Sequence, residues 1–122
     1  MTKGAALQAF FEGFDLPAYP ATNVPEDAGA KYLTYTPVFD AWGGGQVPIT
    51  VNLWFRTTSE ATLNAKAQEL SAAIGGGKFL TCDGGAILLT RGVPWCQAMA
   101  DSTDPNIKRR YINVIAEFLT LN

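Results

Sequence analysis

A chain of 122 residues can bury one hydrophobic core and is too short for two. Its hydrophobic share of 48% against 16% charged residues excludes a chain disordered along most of its length. A formal charge of −2 excludes an overall field that would pull it onto nucleic acid or an anionic membrane.

Residues 5–13, with Phe14 next in the chain, place Leu7, Phe10, Phe11 and Phe14 at helical spacing, which predicts a short N-terminal helix stopped by Gly13 and Pro17. The stretch 15–30, with Pro17, Pro20, Pro25 and Gly29, reads as an irregular connection. Neither this amino terminus nor any later segment has the pattern of a signal peptide or membrane span, so a cytoplasmic chain is expected.

Residues 31–36 are aromatic and β-branched and predict a strand ended by Pro37. Residues 47–56 alternate cleanly, with Val47, Ile49, Val51, Leu53 and Phe55 on one face and Thr50, Asn52, Trp54 and Arg56 on the other. Between the two strands, Asp40-Ala41-Trp42-Gly43-Gly44-Gly45 predicts a loose hairpin tip.

Thr57-Thr58-Ser59-Glu60 signals a helix start, and Leu63, Ala67, Leu70 and Ile74 form an apolar stripe closed by Gly75-Gly76-Gly77. Residues 79–82 and 86–90 flank Asp83-Gly84-Gly85, a short-hairpin signal, and 95–99 can add a strand. Residues 101–106 read as a turn. The last strand, 108–121, points Ile112, Val114, Ala116 and Phe118 to one side. The expected class is α+β in one domain, 1–122: a mainly antiparallel sheet with one long helix (about 59–74) and a short N-terminal helix packed on it.

The residues offer little for chemistry. Histidine is absent, so histidine triads are impossible and the commonest metal ligand is missing. Cys82 and Cys96 lack ligand spacing and read as free thiols in a reducing compartment. Gly75-Gly76-Gly77-Lys78 follows a helix and precedes a strand, the reverse of a phosphate loop. No catalytic residue, cofactor or metal is expected.

Three regions stand out as candidate contact surfaces: the Trp42-Gly43-Gly44-Gly45 tip, the Gly84-Gly85 hairpin and the basic strand entry Lys108-Arg109-Arg110. Tryptophan is enriched at interface centres. The basic triplet reads as a solvated strand entry or an intersubunit ion-pair site, since the aromatic interleaving of a nucleic-acid surface is missing. Trp54, opposite the apolar set of its strand, lies under a helix or at an interface, and Trp95 after Pro94 reads as core.

The opening helix with Phe10-Phe11, the strand Tyr32-Leu33-Thr34-Tyr35 and the run Val51-Asn52-Leu53-Trp54-Phe55-Arg56-Thr57-Thr58-Ser59 make up a larger pattern. Asp83-Gly84-Gly85-Ala86, Arg91-Gly92-Val93-Pro94, Arg110-Tyr111-Ile112-Asn113 and Glu117-Phe118-Leu119 complete it. In layout and strand texture this resembles the tail-terminator or tail-completion proteins of long-tailed phages and prophages, also labelled minor capsid or head–tail joining proteins.

The resemblance implies a non-enzymatic subunit of the virion, assembled in the bacterial cytoplasm. It implies a homo-oligomeric ring, typically hexameric, on the end of the tail tube. Its partners would be the tail tube protein and neck or head-completion proteins, with DNA passing through without specific binding. A compact chain of this length is about 36 Å across, and six such discs leave a hole about one disc wide. A head-side neck protein, or a small ligand- or protein-binding domain, is the alternative.

Overall fold

The computed structural model describes residues 1–100 and 104–122. Helix α1 (Lys3–Phe11) begins where the Thr2 hydroxyl accepts the amide of Ala5, and continues as a 3₁₀ turn, Glu12–Phe14. Asp15, at a φ of 57°, closes that turn in the left-handed region, which aspartate tolerates better than most residues. The expected irregular stretch contains a three-residue strand, β1 (Ala18–Pro20), lying parallel to β2 (Lys31–Tyr35). Pairing with β2 makes this strand despite its prolines, through the Leu33 amide donating to the Pro17 carbonyl.

Strand β3 (Gln46–Arg56) pairs antiparallel with β2 over its second half and with β6 (Ile107–Thr120) along its whole length. Between them in sequence lie helix α2 (Ala61–Ile74) and the hairpin of β4 (Lys78–Cys82) and β5 (Gly85–Ala100). The six-stranded sheet runs β1-β2-β3-β6-β5-β4, with every pair antiparallel except β1 with β2. An α+β fold on a mostly antiparallel sheet is therefore what the chain forms.

The expectation of one long helix is corrected. Helix α2 has 14 residues, scarcely more than the 9 of α1 and the 3 of its 3₁₀ extension taken together. The start is delayed because the Thr57 hydroxyl accepts the Ser59 amide and the Ser59 hydroxyl accepts the Ala61 amide. Hydroxyls bonded locally hold the backbone out of the helix until Ala61. At the other end Gly75, with φ 55°, stops it.

Both helices lie on one face of the sheet. Leu7, Phe11, Leu63 and Ile74 meet Leu33, Leu53, Ile87, Ile112 and Phe118 in one core. Each of these side chains is almost wholly removed from water, a gain on the order of 2 kcal/mol apiece. The stripe read from α2 supplies that helix's buried residues, and the even positions from Ile112 to Phe118 supply the buried apolar residues of β6. Tyr35 joins the core by stacking on Phe11 at 4.7 Å, while its hydroxyl donates to Gln8 Oε1 at 2.6 Å. Burial pushes the Tyr35 phenol up from its ordinary pKa.

Strand β5 is a single 16-residue strand where separate strands at 86–90 and 95–99 are expected. Its register against β6 shifts between Arg91 and Cys96, a bulge that absorbs Gly92 and Pro94. The Asn113 amide donates to the Pro94 carbonyl at 2.7 Å, and a Cβ on Gly92 would lie 2.7 Å from that of Asn113. Close passage of β6 thus requires glycine there. Trp95, the last residue of the bulge, is half-buried and donates its indole N–H to the Ala67 carbonyl of α2.

Candidate functional site

Two of the three candidate regions meet at one end of the molecule. The Trp42 amide donates to the Thr120 carbonyl at 2.9 Å, and the Leu121 amide donates to the Gly84 carbonyl at 3.2 Å. The loop carrying Trp42 therefore flanks one side of the last turn of β6, and the Gly84-Gly85 hairpin flanks the other. The third region, Lys108-Arg109-Arg110, starts β6. Twelve residues of strand, at roughly 3.3 Å each, separate it from Thr120 by about 40 Å.

The Trp42 loop is tied down rather than loose. Asp40 Oδ1 accepts the Ala41 amide at 2.8 Å, and the Ala41 carbonyl accepts that of Gly44. A Cβ on Gly44 would fall 2.2 Å from the Asp40 carboxylate. Lys3 reaches in from α1, donating to the Asp40 carbonyl at 2.7 Å and also to the Asn122 carbonyl. These ties hold Trp42 outward, 72% exposed. Tucking into its own domain is the other option for such a residue, and the structure does not take it.

Trp42 has apolar company that the sequence reading did not single out. Phe39 is 61% exposed and faces Gly4, whose absent Cβ would touch its ring at 3.5 Å. Leu121 is 84% exposed beside Gly84, and Met1 sits next to Asp83, with its ammonium 2.8 Å from that carboxylate. A groove of about 520 Å³ runs between Phe39, Gly4, Lys3, Gly84 and Asn122. These residues come from both ends and two loops of the chain, so only tertiary structure unites them.

The basic triplet divides by strand alternation. Arg110 faces the core side and is only 5% exposed. Its Nε and Nη2 donate to Asn64 Oδ1 at 3.2 and 3.1 Å, and Nη2 donates to Glu60 Oε1 at 3.2 Å, fastening the start of α2. Lys108 donates to the Pro105 carbonyl. Arg109 turns to the opposite face and lies over the Trp54 ring at 5.1 Å.

That opposite face carries no helix among the described residues. Trp54 stacks on Tyr32 at 6.3 Å and donates its indole N–H to Thr34 at 3.0 Å, and Tyr19 adds to the row. Here Asn52 Oδ1 and Arg109 Nε are buried polar atoms without a hydrogen-bond partner among the described residues. Trp54 was legible as a residue facing away from the core, whereas its stack was not, because its members come from β1, β2 and β6.

The two thiols sit apart: Cys82 ends β4 and Cys96 lies beyond the β5 bulge. Burial pushes the Cys96 thiol up, with the nearby Arg110 charge pulling the other way. Among the described residues no three of Cys, Asp and Glu gather as a metal-binding group. No helix among them is long and apolar enough to cross a membrane. Comparisons with protein-family models, characterised proteins and solved structures found no match to this chain.

Proposed function

We propose that this chain is a structural subunit of a phage tail, a ring-forming terminator that caps the tail tube and offers the head–tail joining surface. The apolar end carries this reading. Met1, Phe39, Trp42, Phe79 and Leu121 are all well exposed, and Phe79 borders the end through a groove it shares with Met1. Singly scattered apolar residues are ordinary on a surface, whereas several large ones near one end mark a contact site. Large aromatic and aliphatic side chains of this kind form the centre of a standard protein interface, which takes about 800 Å² from each partner.

Chemistry at that end favours another protein over a small molecule. Its polar groups are engaged in holding the loop and both chain ends, through Lys3 with Asp40 and Asn122, and through Met1 with Asp83. What points outward is aromatic and aliphatic, the composition of an interface centre. Order in the loop before any partner arrives also lowers the entropy cost of docking.

Trp42→Ala is expected to leave the melting temperature of the free protein within about 2 °C of wild type, as surface truncations do. The same change should weaken attachment to tail tubes about tenfold or more, because an exposed tryptophan at an interface centre acts as an anchor. Thermal melts and co-sedimentation with tail tubes read the two effects separately. A melting temperature lowered by many degrees would show Trp42 to be part of the core and end its role as an anchor.

A further inference from the structure

Among the strand edges of the described residues, three differ clearly from one another, while the free first half of β3 carries Pro48. The outer strand β1 has three residues, with Pro20 inside it and Pro17 just before it, so it is short and poor in donors. At the opposite side β4 starts with Lys78 and is guarded at its end by Met1, whose carbonyl accepts the Asp83 amide at 2.7 Å. Short length, proline, lysine and a covering segment are the devices that keep sheet edges from pairing.

The third edge has none of them. Strand β4 pairs with β5 only over Gly85–Leu89, whereas β5 runs on to Ala100 against β6. Beyond the bulge, residues 96–100 have β6 on one side and no strand on the other among the described residues. Gln97, Ala98, Met99 and Ala100 are exposed. The run Trp95-Cys96-Gln97-Ala98-Met99-Ala100 contains no charge, proline or glycine. Val93, 96% exposed, adds an apolar side chain at the bulge.

We infer that two copies of this chain pair in solution through antiparallel joining of β5 residues 96–100. The free backbone donors and acceptors of such an edge are matched by another extended strand. Pairing all five residues places the two-fold axis at Ala98, with Cys96 opposite Ala100 and Gln97 opposite Met99 of the other copy. Every cross-strand pair is then uncharged and of modest size, so the edge is complementary to itself. A two-fold contact uses the edge up and closes at two copies. This inference does not rest on the tail reading, since the contact is two-fold and lies away from the apolar end.

Size-exclusion chromatography with light scattering on the full chain, over a concentration series, tests it. Wild type should shift from monomer to dimer mass. Gln97→Lys with Met99→Lys sets lysine against lysine at both pairs and should weaken the dimer about tenfold or more. Gln97→Glu with Met99→Lys sets opposite charges together and should restore it, and this variant decides the matter if the double lysine fails to fold. A wild type that stays monomeric throughout, a dimer indifferent to these charges, or a particle that grows without limit overturns the inference.

Discussion

Replacing Gly85 by alanine should cost about 3 kcal/mol or more of folding stability, the largest effect expected from a single methyl group here. Gly85 opens β5 at a φ of 153° and pairs with Thr120. A Cβ there would lie 2.0 Å from the Leu119 carbonyl oxygen and 3.1 Å from its carbon, both backbone atoms of β6. Relief would require the hairpin to leave the sheet. Its neighbour Gly84, at φ 83°, has nothing closer than the Leu121 amide at 3.5 Å. Gly84→Ala therefore meets only the left-handed backbone penalty, about 1 kcal/mol. Urea unfolding of the two variants separates collision from backbone preference. Equal, small losses would mean that β5 and β6 do not approach as closely as described. The comparison also guides interface work, because a Gly85 variant would lose assembly by losing the fold.

Arg110→Ala should lower stability by about 2 kcal/mol, since hydrogen bonds from a buried charged group and the packing of its stem are removed, while exposed Asn64 turns to water. The loss stays below that of a fully buried ion pair because Glu60 remains largely in water. Arg110→Lys keeps the charge but not the planar fork that reaches Asn64 and Glu60 together, and should recover only part of the loss. Lys108→Ala, which removes one bond to a turn carbonyl, should stay within about 0.5 kcal/mol of wild type. Thermal denaturation of the three variants gives the ranking. An Arg110→Ala protein as stable as wild type would show that the guanidinium does not fasten α2.

The case of Arg110 shows how far the sequence could be read. Alternation through Ile112, Val114, Ala116 and Phe118 sets the phase of β6, and carried back two residues it turns Arg110 inward. Three adjacent basic residues hide that phase by looking like one solvated patch. The same periodicity in β3, the stripe on α2 and the Asp83-Gly84-Gly85 turn were legible because each is a local pattern with a local cause. Strand β1 was not, since Pro17 and Pro20 argue against a strand and only its pairing to β2 makes one. The unbroken β5 was hidden by Gly92 and Pro94, which read as a break and act as a bulge. Trp42 was visible as an unusual residue in a glycine run. Its setting with Phe39 and Leu121 depends on β6 ending between two loops, which no local pattern encodes.

The most direct test of the proposed role is negative-stain electron microscopy of the protein mixed with tail tubes from the same phage or prophage, beside Trp42→Ala under the same conditions. The account predicts rings of the wild-type protein on one end of each tube, tube growth stopped, and few or no rings with the variant. Bare tubes that keep growing in the presence of folded wild-type protein would contradict it, and rings found instead on the portal side of heads would move the chain to the head side of the neck.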